Sequence, residues 1–111
     1  MADLSQERCA ACRPGAPVVT PEEAAALQPQ IPEWRLVERD GVPQLERTFA
    51  FGSFAEALAF ANRVGAAAEE QDHHPALLIE ERRVSVRWWT HAIRNLHRND
   101  FIMAARTDQL Y

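Results

Sequence analysis

The stretch Glu69-Glu70-Gln71-Asp72-His73-His74-Pro75 runs carboxylates directly into two histidines and a helix-stopping proline. Imidazole titrates near neutrality, so paired histidines beside carboxylates can divide acid and base duties while the carboxylates fix which ring nitrogen carries the proton. A third histidine, His91, follows Trp88-Trp89-Thr90 at the end of an alternating apolar run. From a strand end it can reach over the sheet edge toward the loop carrying His73 and His74. Asp100, three residues after His97, can orient one of these rings. Structural roles compete with each assignment. Histidines in a helix's last turn complement its dipole and bond its free carbonyls. A strand-end histidine is often a surface residue, and Asp100 suits the acidic position of a helix-start cap. The residue types alone leave proton transfer and capping both open.

The elements that must position these groups can be read from periodicity and caps. Thr20-Pro21-Glu22-Glu23 is a capping box with proline at the first helical position, opening a short helix that Pro29 and Pro32 stop. A strand is expected over Trp34–Glu38 and a second over Gln44–Phe51, joined through Asp40-Gly41, a strong hairpin signal. Ser53-Phe54-Ala55-Glu56 repeats the capping pattern, and Phe54, Leu58, Ala61, Val64 and Ala68 recur at helical spacing to about Gln71. Gly65 inside that helix suggests either close backbone packing or a tolerated weakness. Strands over Leu77–Glu81 and Val84–His91 follow, the latter with Val84, Val86, Trp88 and Thr90 on one face and Ser85, Arg87, Trp89 and His91 on the other. Arg82 and Arg83 fall at the turn between them. A closing helix runs from about His97 to Gln109, with Phe101, Ile102 and Ala105 on its apolar side and His97 as a surface or capping residue.

The order α-β-β-α-β-β-α predicts an α+β fold, a four-stranded antiparallel sheet with three helices packed on one face. Residues 1–19, with Pro14, Gly15 and Pro17 and no periodicity, read as a partly ordered, loosely packed lead-in to a domain spanning 20–111. The open strand edges invite pairing with a second copy, so a homodimer or homotetramer is expected. With 12 basic and 16 acidic residues the net charge is −4, and there is no Lys/Arg block to track a phosphate backbone, so direct nucleic-acid binding is not expected. No apolar run approaches the roughly 20 residues that span a bilayer, and the first residues lack a signal-peptide core, so a cytoplasmic protein with no membrane partner is expected. Cys9 and Cys12 form a C-x-x-C pair outside any strand-helix context and are read as bystanders rather than as a metal site. Trp34, Trp88 and Trp89 suit the core or an interface, although Trp89 shares a face with His91.

Taken in order, these pieces resemble the pterin-4a-carbinolamine dehydratase family, in its bacterial form associated with phenylalanine hydroxylase. The pieces are Cys9-Ala10-Ala11-Cys12-Arg13, Ile31-Pro32-Glu33-Trp34, Glu69 four residues before His73-His74-Pro75, Trp89-Thr90-His91 with the histidine 18 positions after the first, and Asp100 nine further on. The resemblance covers nearly the whole chain. It implies elimination of water from a 4a-hydroxytetrahydropterin without cofactor or metal, with His73, His74 and His91 as the catalytic set. It implies that His73 and His91 exchange protons with the substrate, that His74 positions the ring, and that Glu69, Asp72, Trp89 and Thr90 help bind it with Asp100 in support. It also implies tetrahydropterin recycling for aromatic amino acid hydroxylation. A different use of the same fold, as a dimerisation cofactor of a transcription factor, remains open at this point. Two departures are visible: Trp89 stands where many relatives have Ser or Thr, and Asn95-Leu96-His97 replaces a Gly-Leu-Thr-like turn, trading a threonine cap for His97.

Overall fold

The computed structural model describes residues 3–11 and 13–111. Cys12 lies outside them, and with it the reading of the cysteine pair. The helices begin where their caps predict. The Thr20 hydroxyl accepts the Glu23 amide at 3.1 Å to open α1 (Pro21–Leu27), and Ser53 accepts the Glu56 amide at 3.1 Å to open α2 (Phe54–Gln71). Between them, β1 (Arg35–Arg39) and β2 (Val42–Ala50) are joined by Asp40 and Gly41. Both turn residues are left-handed, at φ 54° and 77°, which is the mirror-image turn that matches strand twist.

β3 (Ala76–Glu80) and β4 (Arg83–Trp88) complete an antiparallel sheet of order β1-β2-β4-β3, and α3 (Arg98–Leu110) closes the chain. The order α-β-β-α-β-β-α and the helix-covered sheet agree with expectation. Alternation decides which face is covered. Leu45 lies opposite Trp88 and Phe49 opposite Val84, all four buried with Val86 against α2 and α3. The edges are β1 and β3, where Leu36 and Leu78 are exposed.

Two expectations are corrected here, and one open alternative, that of Gly65, is decided. The apolar stripe of α2 is turned from the one expected: Phe54 and Leu58 are exposed, while Ala57, Phe60, Ala61, Val64 and Ala68 are buried. So many alanines flank these residues that the run admits more than one stripe, and the sheet selects the one that brings Phe60 against Phe49 at 4.7 Å. Gly65 packs against nothing, since a Cβ there would meet no atom within 4 Å. The last strand stops at Trp88. Thr90 makes an isolated bridge to Asn95, and His91 opens a single 3-10 turn, His91–Ile93.

The lead-in is also held more firmly than its Pro and Gly content suggests. Leu4 has no exposed surface, and its amide donates to Gln30 Oε1 at 2.9 Å. Arg98 forks onto the Glu7 carboxylate at 2.8 and 3.0 Å, and Arg106 donates to the Glu7 carbonyl. Cys9 N–H donates to Gln71 Oε1 at 2.9 Å. Ala10 and Asn99 exchange two hydrogen bonds, at 3.0 and 2.7 Å. Of these partners, Gln71 is the end of α2, and Arg98 and Asn99 are the start of α3, the two places from which His73 and Asp100 arise.

Candidate active site

α2 ends in a reversal. Asp72 adopts the left-handed conformation at φ 50°, which aspartate tolerates better than most residues, and the amides of Asp72 and His73 return to the Glu69 and Ala68 carbonyls at 3.2 and 3.1 Å. The reversal turns His73 inward, where its ring is buried and stacks on Trp88 at 5.8 Å with an interplanar angle of 10°. Its Nε2 lies 2.6 Å from Asp100 Oδ1. Asp100 has no exposed surface, and its other oxygen accepts the Thr90 hydroxyl at 2.8 Å and the His97 amide at 2.9 Å. His97 Nδ1 in turn accepts the Asn99 amide at 3.0 Å, so His97 and Asp100 form a complete capping box on α3. The two roles weighed for Asp100 from sequence coexist in one carboxylate.

The other two histidines are exposed. His74 Nε2 lies 2.5 Å from Glu69 Oε1, and His91 Nε2 donates to the His74 carbonyl at 3.1 Å, tying the 3-10 turn to the α2–β3 loop. The His91 ring lies 4.3 Å from that of Trp89.

These partners decide the proton inventory. A carbonyl can only accept, so His91 carries its proton on Nε2. Carboxylates at Nε2 make the same demand of His73 and His74. In the neutral form of each ring the lone pair then falls on Nδ1, which is free of these anchoring bonds. Each imidazole is thus anchored at one nitrogen and, when neutral, carries its lone pair on the other, the arrangement general acid–base chemistry needs. A cleft of about 350 Å³ is lined by Asp72, His73, His74, Thr90, His91 and Ala92. A larger hollow of about 480 Å³ lies at the β3–β4 turn beside Phe51 and Arg82, but no histidine lines it, so its size does not make it the better candidate. Among the described residues no three His, Cys, Asp or Glu side chains converge as metal ligands.

All three candidate histidines therefore meet in one cleft with Asp72 and Thr90. Asp100 stands behind His73 and Thr90, and Glu69 sits outside the cleft as the partner of His74. Trp89 lines an adjoining cleft that shares His91. That second cleft also holds Arg39, Gln44, Arg87 and Arg94, which the sequence reading left out. The one available signal was that Arg87 lies two residues before Trp89 on the same strand face.

Comparison with known proteins bears on the same residues. The family model for pterin 4 alpha carbinolamine dehydratase matches residues 17–110, a span that contains the entire histidine cleft. A protein of Nitrosococcus oceani provisionally named pterin-4-alpha-carbinolamine dehydratase is 57% identical over 110 residues, covering 99% of this chain and 97% of its own. One of the same provisional name from Marinobacter nauticus is 53% identical over the full length of both. Among solved structures, a transcriptional coactivator/pterin dehydratase from Brucella melitensis superposes with a TM-score of 0.75 at 26% identity, over 85% of this chain and 98% of that one. A pterin dehydratase-like RuBisCO assembly factor of the alpha-carboxysome superposes with a TM-score of 0.60 at 30% identity, over 70% and 88%. With a family model spanning nearly all of it and full-length relatives above half identity, this chain belongs to the pterin 4 alpha carbinolamine dehydratase family.

Proposed function

We propose that the chain is a hydro-lyase that eliminates water from 4a-hydroxytetrahydropterin to give quinonoid dihydropterin. The observation that carries this reading is that His73 and His91, each anchored through Nε2, line one cleft. The reaction requires the N5 proton to leave, the C4a–O bond to break with its electron pair on oxygen, and that oxygen to gain a proton and depart as water. A C4a–N5 double bond forms, and no electrons enter or leave. One neutral imidazole to take a proton and one protonated imidazole to give a proton suffice, and Nδ1 of His73 and His91 supplies them. His74, steadied by Glu69, and Asp72, Thr90 and Trp89 bind and position the ring, while Asp100 holds His73. In the cytoplasm this step serves tetrahydropterin recycling for aromatic amino acid hydroxylation, in a functional link with phenylalanine hydroxylase.

The decisive measurement is the carbinolamine dehydration rate of His73→Ala and His91→Ala. Each loses about 10²- to 10⁴-fold, the usual contribution of one positioned proton transfer; unchanged rates in both would sink the assignment. A binding role is a second reading, favoured by the exposed Leu36 and Leu78 on the two edge strands. It takes the form of self-association into a homodimer or homotetramer. Sedimentation of the purified protein as a monomer at micromolar concentration refutes it.

A further inference from the structure

The cleft beside the histidines carries a local excess of arginine. It has a volume of about 310 Å³, it shares His91 with the histidine cleft, and its wall includes Arg39, Arg87, Arg94 and Asp40. The three arginines outnumber Asp40 and Glu46, which holds Arg39 at 2.6 Å, so the locality is positive in a chain of net charge −4. Two of the arginines are uncommitted to carboxylates: among the described residues neither Arg87 nor Arg94 has one within 4.0 Å. Arg87 is nevertheless held in place. It donates to Gln44 Oε1 at 2.9 Å, Gln44 being only 4% exposed, and its guanidinium lies 5.7 Å from the Trp89 ring centre. Arg94 sits at φ 47°, a backbone position where glycine or asparagine costs less, and among the described residues its side chain makes a long 3.5 Å bond to the Asp40 carbonyl. Planar guanidiniums in a fixed frame are the side chains suited to phosphate and carboxylate.

Resting on the dehydratase reading, we infer that the preferred substrate carries an anionic group on its 6-substituent and that Arg87 and Arg94 bind it. The ring chemistry sets the direction. C6 is bonded to N5, one of the two reacting positions, so a substituent on C6 leaves the ring at the edge that the catalytic histidines address. His91 is the wall common to both clefts, and Trp89 offers its ring beside it. A chain of a few atoms leaving C6 past His91 meets the two arginines. The anion is a phosphate ester or the carboxylates of a glutamyl tail, which share this recognition chemistry.

The test is calorimetric binding of three pterins that are not turned over: 7,8-dihydroneopterin, its 3′-phosphate and 7,8-dihydrofolate. They are compared on the parent protein and on Arg87→Gln/Arg94→Asn, the asparagine chosen to suit the left-handed backbone. At least one anionic pterin binds the parent about tenfold or more tighter than the neutral one, with the advantage shrinking as salt rises. The double variant loses that advantage and keeps its affinity for 7,8-dihydroneopterin within about twofold. Which anionic probe gains tells phosphate from carboxylate. Equal affinities of all three pterins for the parent, or equal weakening of neutral and anionic pterins in the variant, overturns the inference. Dehydration is assayed in parallel with the carbinolamines of the neutral and phosphorylated pterins. If the parent dehydrates neither yet still prefers the phosphate through Arg87 and Arg94, the dehydratase reading falls and the anion cleft stands; no binding of any pterin overturns both.

Discussion

Replacing Asp100 with asparagine isolates one proton without changing the shape of the core. Asp100 Oδ2 faces the His97 amide, which can only donate, and the Thr90 hydroxyl, while Oδ1 faces His73 Nε2 at 2.6 Å. The asparagine oxygen must therefore stay on the His97 side, which turns its NH₂ group toward a nitrogen that already carries hydrogen. Two donors then meet at a buried site. The conflict is relieved when His73 moves its proton from Nε2 to Nδ1, the nitrogen needed for chemistry. A charge-assisted hydrogen bond of about 1.5–3 kcal/mol is lost. At about 1.4 kcal/mol per tenfold, that is a fall of roughly 10- to 150-fold in dehydration rate. A stability loss of similar size, about 1.5–3 kcal/mol, is within what a small domain tolerates, and urea denaturation would report it. Nitrogen NMR of the His73 ring reads the tautomer directly. A rate within twofold of the parent, in a folded protein whose His73 proton remains on Nε2, refutes the reasoning.

Three further perturbations have definite signs. Gly65→Ala adds a methyl group where nothing lies within 4 Å, so it stabilises the protein by about 0.5–1 kcal/mol, visible as a higher urea midpoint; a lower midpoint contradicts the open packing there. The hydrogen bond from Arg98 holds the Glu7 carboxyl below its ordinary range, against the opposing effect of burial and with help from the Arg98 charge. A depressed folded-state pKa contributes stability above the unfolded carboxylate value that is lost as pH falls through the folded value. Glu7→Gln therefore lowers stability at pH 7 by less than about 1 kcal/mol, because the pair is partly exposed, and the deficit shrinks below about pH 4. A deficit that grows on acidification is the contrary result. Thr90→Val keeps the side-chain shape but leaves Asp100 one donor short, at a cost of about 1–3 kcal/mol in the same denaturation assay, and no change would mean that the hydroxyl does not support the carboxylate.

How much could be read without coordinates depended on the range of the interaction involved. Thr20, Ser53 and the Asp40-Gly41 turn act within four residues, and each does what its side chain or backbone freedom predicts. The alternation of Val84, Val86 and Trp88 is equally local and gives the buried face of β4. The end of that strand was not legible, because Trp88-Trp89-Thr90-His91 continues a strand-like composition, whereas in the fold Thr90 is instead bridged to Asn95 and bonded to Asp100. The stripe on α2 was ambiguous for a different reason, since phenylalanine, leucine and alanine crowd its first two turns and only the sheet decides among them. In the site, the residues His73, His74 and His91 were visible by type and spacing. The acceptors that fix their protons were visible only in part, because the His74 carbonyl that anchors His91 has no sequence signature. Arg87 could be placed only on the strand face shared with Trp89 and His91, Arg94 carried no signal, and their convergence beside His91 is a property of the folded sheet and the turn that follows it.

The stitching of residues 7–10 across the ends of α2 and α3 also bears on time. Glu7 meets Arg98 and Arg106 across separations of 91 and 99 residues, and Ala10 meets Asn99 across 89. These partners stand far apart along the chain, so residues 7–10 are held only once α3 is in place. Closing a loop of that length carries one of the larger entropic costs in the molecule and yields its contacts only once both ends are in place. The two hairpins, by contrast, can form as soon as each is made. The histidine cleft belongs with the long-range part of the fold, because His73 is held by Asp100, 27 residues further on at the start of α3.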